Sequence, residues 1–343
     1  MYIVLVGPPG RCRKGTAMNL GIKFLEELGV NMTAESITRE ALIKELEKSS
    51  DTIQNDKGEL VTHSSITIHS QELTVFLGYN NLTLLADLTD WYDCKSKWEY
   101  RTKNMGSNDI TGIYVNLIGA TTPDLIQTTL PRDAIGGGLS SRMVFVYAEN
   151  KNKTIPIPSF SKKQLQLKEK LQYDLEQILM LNGKFQVTED FIEPWIKWYS
   201  ESDAKPRFND AKFSGYNERR AAHVMKLCMI ISASCRDDLV INNYILQRAI
   251  DTLERAEKDM PRVFAGFGEG RSSSVISHIM TTIAREKEIT EDRLLNKYYY
   301  DIDNSEQFTK IMDTLKKMNF CTEAYSDKKG TFYKYNPDNA AYN

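Results

Sequence analysis

The sequence predicts an α/β fold with a mostly parallel sheet over residues 1–149, an all-helical segment over residues 163–267, and a small helix-and-hairpin unit over residues 271–337. Three observations carry this. Short β-rich runs alternate with helical ones through the first 149 residues, the pattern of a parallel sheet covered by helices. A strand, a glycine-rich turn and a helix start follow one another at the front, in Tyr2–Val6, the run GPPGRCRK, and the stretch from about Gly15 to Leu28. Hydrophobic residues make up 41% and charged residues 26% of the 343, a globular balance that excludes a disordered or fibrous chain.

The expected strands are Tyr2–Val6, a weaker one near Val30–Thr33, Ser65–His69, Tyr114–Gly119 and Met143–Tyr147. Between the first two, Met18, Ile22, Leu25 and Leu28 recur at helical spacing. Residues 150–162, with Pro156 and Pro158, read as a linker. In the helical segment Leu171, Leu175 and Ile178 share one face, and Trp195, Trp198 and Tyr199 mark an amphipathic helix after Thr188. Past the glycine-rich stretch Gly266–Gly270, Ile276, Ile279 and Ile283 mark one helix and Leu294–Tyr298 a second. Phe308, Ile311, Leu315 and Met318 mark a third. Two β-like runs, Phe320–Tyr325 and Thr331–Tyr335, complete a winged-helix pattern.

No apolar run approaches the roughly 20 residues of a membrane span, so no membrane association is expected. The opening MYIVLVGPPG has too short an apolar run for a signal peptide. Five cysteines (Cys12, Cys94, Cys228, Cys235, Cys321) are scattered, with no CxxC pair. That argues against a disulfide framework or zinc site and suits a reducing cytosol, so a cytoplasmic location is expected. The net charge of −2 exerts no global pull on nucleic acid, and any such contact must come from local patches.

The run Gly7-Pro8-Pro9-Gly10-Arg11-Cys12-Arg13-Lys14-Gly15-Thr16 ends a strand and opens a helix. A polyphosphate needs this arrangement: converging backbone N–H groups, the positive end of a helix, and a lysine. A hydroxyl beside the lysine normally holds Mg²⁺. The spacing departs from G-x(4)-G-K-[ST]. Six residues separate Gly7 from Lys14, and Thr16 follows Lys14 by two positions, so either Arg13 or Lys14 takes the β/γ-phosphate position.

Ser65–Leu73 is a β-run ending in Gln71-Glu72. Phosphoanhydride hydrolysis needs a group that orients water at the end of a core strand, and Glu72 is the candidate. Thr16, Gln71 and Glu72 are the candidate metal-side residues. The plainer alternative for Glu72 is a solvated acid at a helix start. Ile113–Pro123 is a buried strand ending in Thr121 and Thr122, either of which can hold the attacking water or the γ-phosphate. A triple glycine, Gly136–Gly138, precedes Arg142 and the last strand, which predicts a flexible loop displaying the arginine. Supplied to a neighbouring subunit, such an arginine is worth ~10³-fold or more in rate. The alternative is a surface salt bridge.

Phosphate loop, Glu-ended strand, intervening hairpin, polar-ended strand and arginine before the last strand together resemble the AAA+ ATPases. The likeness is to the helicase branch of phages, prophages and plasmids, with superfamily 3 and MCM-type enzymes as relatives. The stretches GPPGRCRKGTA, SQELTVFLG, LIGATTPDLI, AIGGGLSSRMVFVY and ERRAAHVMKL resemble prophage primase-helicase-like ATPases, over roughly residues 1–267. The resemblance implies an AAA+-like P-loop core, a helical lid and a winged helix in a hexameric, DNA-translocating ATPase using ATP and Mg²⁺. Lys14, Thr16, Glu72, Thr122 and Arg142 then take the matching roles, and Arg219 or Arg220 that of a second sensor arginine. Replicative helicases usually carry a further domain in front. The expectation is therefore a core working with a primase or other replication partner, or a piece of a longer chain.

The segment from Trp98 to Asp109 lies where related helicases carry a pore hairpin. Its Trp98, Tyr100, Arg101 and Lys103 alternate aromatic and basic character, suited to stacking on bases and pairing with phosphates of single-stranded or forked DNA. The plainer alternative is a solvated hairpin. Lys328 and Lys329 in the wing are further candidates, although residues 271–343 hold eleven basic and eleven acidic residues, hardly a basic footprint. Two functions stand: a hexameric DNA motor of a mobile element, or a slowly hydrolysing nucleotide-gated switch such as a helicase loader or defence component.

Overall fold

The first part of the chain runs β1 (Tyr2–Val6), α1 (Lys14–Glu27), α2 (Arg39–Lys48), β2 (Ser50–Gln54), β3 (Leu60–Ser70), α3 (Leu73–Leu77) and α4 (Leu82–Tyr92). A hairpin of β4 (Lys97–Thr102) and β5 (Gly106–Thr111) follows, then β6 (Ile113–Thr121), α5 (Pro123–Thr129) and β7 (Met143–Tyr147). Next come α6 (Lys162–Met180), β8 (Gln186–Val187), α7 (Glu189–Ala204), α8 (Ser214–Cys235), β9 (Val240–Ile241) and α9 (Asn243–Glu257). This computed structural model describes residues 1–343 except 56, 80, 103–105, 131–134, 158, 265–270, 300, 303, 328–329 and 338–343. Two compact units result, residues 1–265 and 266–343.

Five strands of the first unit form one sheet in the order β2-β3-β6-β1-β7. The last four are parallel, and β2 is an antiparallel edge. β1 alternates buried and half-buried residues because Tyr2, Val4 and Val6 all face one packed side, as period-2 alternation requires. Helix α2 covers the sheet with Leu42, Ile43 and Leu46, and α4 with Leu84, Leu88, Trp91 and Tyr92. From β1 the next parallel strand, β3, lies on the β6 side, whereas β6 is followed by β7 on the other side of β1. This reversal opens a crevice at the strands' carboxyl ends, where ligands bind in open α/β sheets.

The strand expected near Val30–Thr33 is reduced to a single parallel bridge between Met32 and Thr67. Its place at the edge goes to β2, which the polar run Ser50–Gln54 conceals in the sequence. The helical segment carries a two-residue parallel pair, β8 with β9, so it is not purely helical. Its core includes Phe191, Val224, Cys228, Ile245 and Leu253 together with Val144 of β7, so these helices share a core with the sheet.

In the second unit α10 (Arg271–Glu286), β10 (Glu288–Thr290), α11 (Glu291–Tyr298), α12 (Ser305–Lys317), β11 (Cys321–Ser326) and β12 (Gly330–Tyr335) enclose their own core. Ile279, Ile283, Leu294, Phe308, Ile311 and Leu315 fill it. The expected hairpin is joined by β10, giving an antiparallel sheet in the order β10-β12-β11. The glycine-rich stretch Gly266–Gly270 lies outside the described residues.

Candidate functional site

Gly7 leaves β1 against the end of β7, and a Cβ there would lie 2.2 Å from the Ala148 carbonyl oxygen. Only glycine permits that approach. Gly10 then turns with φ 70°. Arg13 adopts φ 53° and ψ 41°, a left-handed conformation that costs a non-glycine residue roughly 1 kcal/mol. Lys14 is thereby the first helical residue, Gly15 the second and Thr16 the third. Cys12, just before Arg13, points back toward the end of β7. Its thiol donates to the Ala148 carbonyl at 2.9 Å, so the side chain faces the sheet and not the cleft expected of it. The Lys14 ammonium donates to the Gly7 carbonyl at 2.6 Å and the Pro8 carbonyl at 3.3 Å. Helix α1 has no side-chain N-cap and no acid in its first turn, so its amino end offers uncapped N–H donors.

Beside this turn opens a cleft of about 600 Å³. Pro9, Gly10, Arg13, Lys14, Gly15 and Thr16 line one wall, and Gln71, Glu72, Thr121 and Thr122 the other. The three strand ends expected to converge do so. Gly7, Pro8, Arg11 and Cys12 shape the turn from behind without lining the cleft. Asn19 and Lys23, missed in the sequence, also line it. They follow Gly15 at i+4 and i+8 on one face of α1, a spacing that could have revealed them.

Glu72 occupies the N-cap position of α3, yet its carboxylate makes no cap bond and is exposed to the cleft. Gln71 Nε2 donates to Asn19 Oδ1 at 3.2 Å and to Glu35 Oε1 at 3.3 Å. Thr121 is buried, and Thr122 Oγ1 caps α5 by accepting from the Leu125 N–H at 3.3 Å.

Of the arginines expected at the phosphates, Arg13 lines the cleft, whereas Arg142, Arg219 and Arg220 lie elsewhere. Arg142 sits on a single 3₁₀ turn, Ser140–Arg142, and is 7% exposed, not displayed. Its Nη2 meets Asp93 Oδ2 at 2.9 Å, and its Nη1 donates to the Gly138 carbonyl at 3.0 Å. The first glycine of the run, Gly136, is packed against the start of α8. The Gly136 carbonyl accepts from the Gly215 N–H at 2.9 Å, and a Cβ on Gly215 would lie 2.5 Å from that oxygen. A guanidinium drawn out of water requires a carboxylate partner, which Asp93 supplies. Arg219 Nη1 holds the other oxygen of Asp93 at 3.1 Å. Burial raises the Asp93 carboxyl, but the bonds and charges of Arg142 and Arg219 outweigh it and hold the pKa below the ordinary value. Arg220 is paired twice with the fully buried Glu257, at 2.8 and 3.0 Å, and serves the core of the helical segment.

The hairpin also differs from expectation. Strand alternation turns Trp98 and Tyr100 inward. Trp98 packs edge-on to Trp91 with centroids 5.4 Å apart, and Tyr100 lies under Arg39 at 4.6 Å. Those rings are engaged with the body of the unit. The outward side carries Lys97, Glu99 and Arg101, and Arg101 pairs with Glu99 at 3.0 Å. Lys103, Lys328 and Lys329 lie outside the described residues.

Among the described residues no cluster of three His, Cys, Asp or Glu is placed to hold a metal, and no helix is long and apolar enough to cross a membrane. Comparison with protein-family models and with curated proteins finds no match.

Proposed function

We propose that the protein is a P-loop ATPase of the AAA+ type, with ATP in the cleft beside α1. The observation that carries this is the convergence of Lys14 and the uncapped start of α1 with Glu72, Thr121 and Thr122 at three adjacent strand ends. In this reading residues 1–149 are the nucleotide core, residues 163–267 a helical lid, and residues 271–337 a winged helix. Backbone N–H groups of Gly10 and of Arg13 to Thr16 hold the β- and γ-phosphates, and Lys14 swings from the Gly7 carbonyl to neutralise them. Glu72 orients a water and takes its proton, and Thr122 fixes that water or the γ-phosphate. Mg²⁺ would neutralise phosphate charge, and oxygen donors that suit so hard a cation are on hand in Gln71, Thr16 and Glu72.

The wider assembly that the sequence resemblance implies is a cytoplasmic homohexamer moving on single-stranded or forked DNA during replication of a mobile element, beside a primase or other replication partner. The nucleotide-gated switch is the second reading. It is favoured by the engagement of Arg142 with Asp93 and of the hairpin aromatics with the body. ATP turnover with and without single-stranded DNA, alongside oligomer mass with a non-hydrolysable analogue, tests them. The motor requires a hexamer and DNA-stimulated turnover of tenfold or more. An ATP-dependent assembly whose slow turnover DNA does not alter is the result for the switch.

A further inference from the structure

The residue after the lysine, which in P-loop enzymes carries the magnesium-binding hydroxyl, is here Gly15. The strand-end acid that usually shares that metal is here Gln71. The two replacements meet in space. A Cβ built on Gly15 would lie 2.9 Å from Gln71 Oε1 and 3.7 Å from its Cδ, so the amide fills the room that a hydroxyl-bearing side chain would take. The amide's orientation is fixed by its neighbours. Its nitrogen is 3.3 Å from a Glu35 carboxylate oxygen, which can only accept, and 3.2 Å from Asn19 Oδ1. The oxygen is therefore the atom turned to Gly15.

We infer that Gln71 Oε1 stands in for the missing hydroxyl as the chain's oxygen ligand to the metal of a metal–nucleotide complex, with Asn19 and Glu35 as positioning residues. The inference rests on the nucleotide reading above and refines it. A neutral amide replaces both hydroxyl and carboxylate, and Thr16, one position further along α1, is not the principal ligand. Gly15 and Gln71 form a matched pair, each intelligible only with the other.

The test is fluorescent ATP-analogue binding to the full chain, titrated with Mg²⁺ and repeated in EDTA, with Mn²⁺ binding followed by electron paramagnetic resonance. Melting curves check that each variant is folded. Gln71→Ala is expected to raise the Mg²⁺ midpoint about tenfold and to weaken Mn²⁺ binding alike. Gly15→Ser alone crowds the amide and is expected to impair the metal-dependent gain. Gly15→Ser combined with Gln71→Asp rebuilds a hydroxyl–carboxylate pair and is expected to return the midpoint to the wild-type value or below. A wild-type midpoint in Gln71→Ala, or a folded double variant no better than Gln71→Ala, overturns the inference while leaving nucleotide binding intact. A wild-type protein that binds no nucleotide with or without Mg²⁺ overturns the nucleotide reading itself and the inference with it.

Discussion

His223 is fully buried between Tyr92 and the 3₁₀ turn Ser140–Arg142. Its Nε2 donates to the Ser141 carbonyl at 3.1 Å, and its Nδ1 accepts from the Tyr92 hydroxyl at 3.0 Å, an arrangement that requires the neutral ring. Burial lowers its pKa from 6.5 to about 4. The Ser141 bond opposes this, and the charges of Lys226 and Arg219 add to it. The unfolded chain therefore takes up this proton first as pH falls. The stability that His223 contributes is complete above about pH 6.5 and is lost progressively toward pH 4, on the order of 3 kcal/mol. Urea unfolding at several pH values checks this against His223→Gln, which keeps a neutral hydrogen-bonding side chain. The variant is expected to lose less stability across that window, and parallel losses in both proteins would remove His223 as the cause.

Between elements, Asp93 at the carboxyl end of α4 holds Arg142 before β7 and Arg219 on α8, so one carboxylate ties three elements together. If Arg142 serves a neighbouring subunit, that tie must open first. Asp93→Asn is then expected to speed ATP turnover several-fold in the assembled protein, and Arg142→Ala to cut it ~10³-fold without loss of binding. Slower or unchanged turnover in Asp93→Asn would assign Arg142 to the fold. Much of this scale was legible beforehand: β1, β7, α1 and the convergence of Gly10–Thr16 with Glu72 and Thr122 all follow from local pattern and motif order. Other features were hidden because tertiary contacts decide them. β2 reads as polar because most of its residues are exposed at an edge. The glycines at 136–138 suggest freedom until Gly215 is seen to need the Gly136 backbone within reach. Trp98 and Tyr100 suggest stacking on bases until Trp91 and Arg39 are found beneath them. Spacing alone left Arg13 and Lys14 interchangeable, and the left-handed turn at Arg13 makes Lys14 the first helical residue.

For the whole molecule, the sheet order and the reversal beside β1 create one crevice where three strand ends and one helix start meet. Everything proposed about hydrolysis, metal and assembly depends on a nucleoside triphosphate entering there. Lys14 is the one cation at that helix start whose present partners are only backbone carbonyls, so its removal costs the fold little and the phosphates much. A charge-assisted contact of this kind is worth up to about 3 kcal/mol, or roughly 100-fold in affinity. The deciding measurement is calorimetric titration of ATP with Mg²⁺ into the wild-type protein and Lys14→Ala, with both melting curves recorded. One site in the wild type, an affinity lower by about 100-fold in the variant, and matching melting temperatures are expected. Equal affinity in the two proteins, or no binding to the wild type, would contradict the proposed nucleotide site.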